Sequence, residues 1–160
     1  MKFAALALIA GASAKNFPSF DSFHAHCAFE TVVADKTCAE TYTTLAGVLD
    51  SMNGPKDTDP ARGFYTKAQE VEGQQLWFTR LTSGKKYTDD MEFVLAAEGT
   101  GCKITGKSQS QSLSYYDYYT NYCNIYNPLR ISGLSFSEPK NSQCKYAAAP
   151  ADRDAACNAN

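Results

Sequence analysis

Arg80, Asp89 and Asp90 are the first side chains whose types and spacing could carry chemistry. If the segments on either side of Gly84 form an antiparallel hairpin, Arg80 lies opposite Asp89 on the face that also carries apolar side chains. A partly buried carboxylate needs a partner, and a guanidinium can supply one. The pair could bind an anionic or polar ligand, but we favour a structural ion pair between strands. Asp90 and Glu92 point to the opposite face, where we expect them to be solvated.

Residues 115–126 are unusual because they hold six of the ten tyrosines in the chain. Four of these tyrosines follow helical spacing, which predicts a stripe that packs on a sheet: Tyr115, Tyr119, Tyr122 and Tyr126. Two more, Tyr116 and Tyr118, are then expected to face the solvent. Asp117 is a candidate N-cap, and Asn121 lies one helical turn further along.

Tyrosine combines a large apolar ring with a polar tip, which suits contacts with carbohydrate or protein. The stripe could equally be part of the core, since apolar side chains at helical spacing usually are. The candidate ligand-binding residues are Arg80, Asp89, Tyr116, Asp117, Tyr118 and Asn121.

Residues 15–26 are predicted to form an irregular or extended arm. If the arm is extended, His24 and His26 are separated by one residue and both imidazoles share one face. Two histidines could contribute to a metal site, but we favour solvated side chains because two ligands alone do not make one. The chain contains no nucleophile-elbow motif, no His-Glu-x-x-His motif and no phosphate-binding glycine loop. The sequence therefore indicates no catalytic residue, no metal site and no cofactor.

The composition fits one compact domain, with 160 residues, 44% hydrophobic and 20% charged. The 15 basic and 17 acidic residues give a net charge of −2. Such a balance offers no basic surface for nucleic acid or for an anionic membrane.

The beginning of the chain predicts a secretory signal peptide over residues 1–14. Lys2 supplies a positive charge, residues 3–10 are apolar, and Ala12-Ser13-Ala14 has the pattern of a cleavage site. No other segment is apolar enough to span a membrane. We therefore predict a single secreted α+β domain over residues 15–160.

Secretion predicts that the six cysteines form three disulfides. Six cysteines permit many connectivities, and spacing alone does not choose among them. Pairing of sequence neighbours is preferred because it closes the shortest loops: Cys27–Cys38, Cys102–Cys123 and Cys144–Cys157.

Local patterns predict two helices and four strands. Thr37 and Glu40 form a capping box that begins a helix, which continues to Met52 and ends before a polar loop at residues 53–62. The strands are predicted at residues 64–71, 76–82, 87–97 and about 102–110, and a short second helix follows Asp117 until Pro128 limits it. Residues 129–160 are predicted to be rich in loops.

The hairpin register supports this assignment, because it places Leu76 opposite Phe93 and Phe78 opposite Met91 on one face. Ile104 on the next strand is also expected to face inward. The predicted fold is α+β: a four-stranded antiparallel meander with an N-terminal helix and a short second helix on the core face, stabilised by disulfides.

Three segments resemble the signature of domain-of-unknown-function family 1499: the run YTDDMEF at 87–93, Lys107-Ser108-x-Ser110, and Asp117-x-x-x-Asn121. The stretch KSQSQSLSYYDYYTNYCN looks closer still to cysteine-rich secreted proteins of algae and other protists. The resemblance covers roughly residues 76–128 and departs from the family at Lys107 and Gln111, where arginine is usual. It implies a fold and a grouping, without an established activity.

Three functions follow as hypotheses. The first is a non-enzymatic extracellular binding or structural module whose ligand is carbohydrate or protein. The second is a carrier of a small ligand or lipid, with a pocket under the sheet around Arg80 and Asp89. The third is a secreted hydrolase that uses Asp89 or Asp117 as its acid or base.

Overall fold

The computed structural model of the protein describes residues 16–52, 63–82, 84 and 86–159. The predicted signal peptide at 1–14 and the predicted polar loop at 53–62 lie outside the described residues. So do Ser83 and Lys85, which belong to the predicted turn between the second and third predicted strands.

The described residues form one antiparallel sheet of six strands and three helices, so the α+β class is confirmed. The strands are β1 (His26–Val33), β2 (Gly63–Val71), β3 (Gln75–Thr82), β4 (Thr88–Glu98), β5 (Gly101–Ser110) and β6 (Lys140–Asn141), in the spatial order β2-β3-β4-β5-β1-β6. The helices are α1 (Cys38–Ser51), α2 (Thr120–Ile131) and α3 (Arg153–Ala159).

The prediction of four strands is wrong, because the sheet has six among the described residues. The predicted meander corresponds to β2-β3-β4-β5, and β1 and β6 are added beside β5. Residue 26 is predicted to belong to the arm, and no element is predicted for residues 27–33. Apolar and polar residues do not alternate clearly in this strand, because the three consecutive residues Cys27–Phe29 are all buried, on both faces of the sheet. Residues 16–25 cross the outer face of the sheet, where the ring of Phe17 lies 5.5 Å from Trp77 and that of Phe20 lies 4.4 Å from His26.

The local predictions around α1 and the central hairpin are confirmed. The Thr37 amide donates to Glu40 Oε2 at 2.9 Å and the Glu40 amide donates to Thr37 Oγ1 at 3.3 Å, which completes the capping box. Strands β3 and β4 pair in the predicted register, with Leu76 opposite Phe93 and Arg80 opposite Asp89.

The predicted solvation of Glu92 is wrong, because this side chain is only 3% exposed. Gln75 Nε2 donates to Glu92 Oε1 at 2.5 Å, and Lys107 Nζ lies 3.5 Å from Oε2. Trp77 Nε1 donates to Asp90 Oδ1 at 3.0 Å on the same face. This face of the sheet is therefore covered by the arm and by a layer of hydrogen-bonded polar side chains.

All six cysteines form disulfides, but each predicted neighbour pairing is wrong. The bonds are Cys27–Cys144, Cys38–Cys102 and Cys123–Cys157, with sequence separations of 117, 64 and 34 residues. The sheet accounts for the difference: β1 lies beside β5 and brings the start of α1 to Cys102. The other two bonds join the C-terminal segment to β1 and to α2.

The second helix differs from its prediction at both ends. It begins at Thr120 rather than near Asp117, because Tyr118 and Tyr119 adopt positive φ angles of 49° and 71°. It continues through Pro128 to Ile131. Proline costs a helix one hydrogen bond, and burial of α2 on all sides by the sheet, α1 and α3 offsets that loss.

The predicted tyrosine stripe is half wrong. Tyr122 and Tyr126 are buried on α2, where their rings stack at 5.9 Å, whereas Tyr115 and Tyr119 lie before the helix and are exposed. Tyr116 and Tyr118 are exposed, as predicted.

Helix α2 lies very close to the sheet at Gly106 on β5, where an added Cβ would lie 2.1 Å from Cγ2 of the buried Ile125. We expect Gly106→Ala to lower the free energy of unfolding by about 1–3 kcal/mol through overpacking. Gly47→Ala is the matched control: a Cβ on this exposed residue of α1 meets nothing within 4 Å. The control should be stabilising by about 0.5–1 kcal/mol, since alanine favours helix. Denaturant unfolding measures both values, and equal effects would contradict this packing.

Candidate functional site

The space between α2 and strands β3, β4 and β5 contains a cluster of buried polar side chains. We call this cluster the polar network; its members are Arg80, Asp89, Ser108, Ser110, Asp117, Asn121 and Asn124. Arg80 lies on β3, Asp89 on β4, and Ser108 and Ser110 on β5, all on the face of the sheet that packs against α2. Asn121 and Asn124 project from α2 itself, three residues apart on one side of the helix.

Asn124 connects Arg80 to Asp89. Arg80 Nη1 donates to Asn124 Oδ1 at 2.7 Å, and Asn124 Nδ2 donates to Asp89 Oδ2 at 2.9 Å. The same amide group lies 3.0 Å from Ser108 Oγ. The sequence thus predicted the register of Arg80 and Asp89, while the asparagine that bridges them was not foreseen.

Asn121 ties the network to the start of the helix and to the N-terminal arm. Ser108 Oγ donates to its Oδ1 at 2.8 Å. Its Nδ2 donates to Asp117 Oδ2 at 2.9 Å and to the Ala25 carbonyl at 3.1 Å. Buried amide groups are costly unless they are hydrogen-bonded, and these are.

Asp89 is almost completely buried, and this burial raises the pKa of its carboxyl. Hydrogen bonds from Ser110 Oγ, at 2.7 Å, and from Asn124 act in the opposite direction, as does the positive charge of Arg80. The negative charge of Asp117 raises the pKa further. Both oxygens of Asp89 accept hydrogen bonds inside the protein.

Asp117 holds the N-terminus of α2 from an unexpected position. The N-cap residue is Tyr119, which offers no side-chain cap, and Asp117 Oδ2 instead accepts from the Asn121 amide at 3.0 Å. The predicted capping role therefore operates from two residues further upstream. No group in the described residues donates a hydrogen bond to Asp117 Oδ1, although this oxygen is buried.

An open cleft of about 310 Å³ lies beside the polar network. We call it the tyrosine cleft. Asp89, Ser110 and Asp117 are its acidic and hydroxyl-bearing lining residues from the network. Four tyrosines also line it: Tyr87, Tyr115, Tyr116 and Tyr118. The remaining lining residues are Thr82, Leu113, Ser114 and Thr120.

The exposed rings at the cleft contact one another. The centroids of Tyr116 and Tyr118 are 4.9 Å apart, and Tyr146 lies 4.4 Å from Tyr116. Tyr116 and Tyr118 are 61% and 71% exposed. These rings therefore form an aromatic surface that solvent can reach.

The structure divides the sequence-predicted residues into two groups. Asp89, Tyr116, Asp117 and Tyr118 line the tyrosine cleft, whereas Arg80 and Asn121 lie beneath it in the polar network. Sequence reasoning missed nine further members of these groups: Thr82, Tyr87, Ser108, Ser110, Leu113, Ser114, Tyr115, Thr120 and Asn124. The register of β4 on β5, which places Ser110 opposite Asp89, is the signal that could have found Ser108 and Ser110.

The histidines lie apart from this site. His24 Nδ1 contacts the Asp21 carboxylate at 2.8 Å, and His26 Nδ1 contacts the His24 carbonyl at 2.9 Å. Within the described ranges, no three histidine, cysteine or acidic side chains are grouped so that they could hold a metal ion. No helix in the described part of the chain is both long and apolar enough to cross a membrane.

No family model matches the chain, and no curated protein matches it. Among solved structures, the protein DR_A0006 from Deinococcus radiodurans aligns at 11% sequence identity over 68% of this chain and 92% of that chain, with a TM-score of 0.37.

Proposed function

We propose that this protein is a secreted, non-enzymatic binding module that holds a carbohydrate in the tyrosine cleft. One observation carries the proposal: exposed tyrosine rings line the same cleft as Asp117, whose buried carboxylate oxygen Oδ1 has no donor among the described residues. A buried acceptor without a donor costs about 1–3 kcal/mol, and a ligand hydroxyl placed there would recover that cost.

The shape and surface of the cleft support a sugar. Tyrosine rings can stack on the apolar C–H faces of a sugar while their hydroxyls hydrogen-bond to its edge. The volume of about 310 Å³ is at the lower end of ligand sites and suits a small ligand. Three disulfides and the leader-like first residues support an extracellular location.

The hydrolase is the second candidate, because Asp89 and Asp117 line one open cleft and a raised pKa suits a general acid. The hydrogen bonds disfavour it. Each oxygen of Asp89 already accepts a hydrogen bond, from Ser110 and from Asn124, and these bonds hold the carboxyl inside the polar network. The carrier hypothesis has less support, since Arg80, around which it places the pocket, is not among the described residues that line this cleft.

Tyr116→Ala and Tyr118→Ala should each weaken carbohydrate binding by about tenfold, because each removes one stacking ring. A glycan array identifies the ligand for the mature protein, and calorimetry then measures the affinities. Phe23→Ala is the matched control, since Phe23 is an exposed aromatic residue outside the cleft lining. If no glycan binds to the folded protein, or if Phe23→Ala weakens binding as much as the two tyrosine variants do, the proposal fails. Release of free sugar from the bound glycan would instead favour the hydrolase.

A further inference from the structure

We infer that the tyrosine cleft selects carbohydrates that carry a free ammonium group, as amino sugars without acetylation do. The inference rests on the proposed function and specifies the class of ligand. It depends on three properties of the cleft: the free carboxylate oxygen, the charge of the lining, and the aromatic faces.

The carboxylate oxygen is the strongest of the three. Asp117 is 8% exposed and lines the cleft, with Oδ2 engaged by Asn121 and Oδ1 without a donor in the described residues. An ammonium group donates hydrogen bonds and carries the opposite charge. A charge-assisted hydrogen bond of this kind is about twice as strong as a neutral one. The site therefore discriminates between an amine and a hydroxyl at the same position.

The lining has only negative formal charge. It includes the carboxyls of Asp89 and Asp117, and no described lining residue is basic. Two carboxyls in one cleft disfavour an acidic sugar, because like charges repel at short range. A positive ligand group would relieve this repulsion, which already contributes to the raised pKa of Asp89.

The aromatic faces can also hold a cation. The ammonium of Lys145 lies 5.8 Å from the ring centroid of Tyr115 and 5.7 Å from that of Tyr146. This is the geometry of a cation–π contact. Lys145 itself is not among the residues that line the cleft.

Two oligosaccharides of equal length test the inference: a fully deacetylated glucosamine oligomer and its N-acetylated counterpart. Calorimetry should be carried out below the pKa of the sugar amine, so that the first oligomer is cationic. We expect the wild-type protein to bind the deacetylated oligomer about tenfold more tightly. This comparison requires no variant and therefore does not depend on how a substitution affects folding.

Asp117→Asn should abolish the preference, because it removes the negative charge that distinguishes an ammonium group from an acetylated amine. The asparagine carbonyl can still accept from the Asn121 amide, so the helix start is kept. Asp152→Asn removes the same charge from an exposed residue outside the cleft and should leave the preference intact.

Each outcome has a distinct meaning. Equal binding of both oligomers by the wild type overturns the inference and leaves the proposed function standing. Binding of neither oligomer overturns the inference, while the glycan array decides the proposed function separately. If folded Asp117→Asn keeps the preference for the deacetylated oligomer, the assignment to Asp117 is overturned. If Asp152→Asn loses that preference, the overall charge of the protein explains it and the inference is overturned.

Discussion

Arg80→Met is expected to lower the free energy of unfolding by about 3–5 kcal/mol at neutral pH. Arg80 is 1% exposed, and its guanidinium donates to Asn124 while its charge favours the ionised form of Asp89. Methionine fills similar volume but leaves the Asp89 carboxylate buried without that positive charge. Denaturant unfolding of both proteins measures the difference.

The pH dependence identifies the cause of this loss. Because burial raises the pKa of Asp89, the folded protein binds its proton more readily than the unfolded chain does. The stability that protonated Asp89 contributes is complete below the ordinary carboxyl range and is lost as the pH rises through the raised pKa. Without Arg80 this pKa rises further, so the cost of Arg80→Met should be smaller at about pH 4 than at about pH 7.

The double variant Arg80→Met, Asp89→Asn is the control. Removing both charges should recover part of the loss, with a coupling energy of about 0.5–3 kcal/mol. An equal cost of Arg80→Met at both pH values, together with additive single effects, would show that packing alone explains the destabilisation.

Removal of the Cys27–Cys144 bond is the second large effect. The double variant Cys27→Ala, Cys144→Ala should lose about 4–5 kcal/mol, since this bond restricts a segment of 117 residues in the unfolded chain. Cys123→Ala, Cys157→Ala is the matched control, because its bond spans only 34 residues. Its loss should be about 3–4 kcal/mol. Unfolding by denaturant under non-reducing conditions gives both values, and the reverse order would contradict control by loop closure.

Local signals made much of the fold predictable. The capping box needs only Thr37 and Glu40, and the central hairpin register follows from alternation on both sides of one turn. The strands β1 and β6 depend on pairing with segments far along the chain, for which a single sequence carries little signal. The disulfide pairing failed for the same reason, since the sheet rather than the spacing brings the cysteines together.

The site was predictable only in part. Asp89 is predictable from its register opposite Arg80, and Asp117 from its position as an N-cap candidate one helical turn before Asn121. Asn124 is not predictable, because a polar residue on a helix usually faces solvent. It is buried here because polar side chains on the sheet supply its partners.

The left-handed backbone before α2 was not predictable from the sequence. Tyrosine rarely adopts a positive φ angle, yet Tyr118 and Tyr119 both do. Because these two residues are not helical, α2 begins only at Thr120. Tyr115 and Tyr119, which helical spacing predicts to be buried, therefore lie before the helix and are exposed, and Tyr115 lines the cleft.

The order of the disulfides has a consequence for biosynthesis. A chain that enters an oxidising compartment from its N-terminus presents Cys27 and Cys38 first, and these two are not native partners. Cys27 must wait for Cys144, while Cys38 can pair once Cys102 has arrived. A bond formed early between Cys27 and Cys38 must therefore be exchanged before the native pairs can form, and such exchange takes roughly minutes to hours without an isomerase. Formation of the native bonds in an oxidising compartment therefore depends on disulfide exchange as well as on stability.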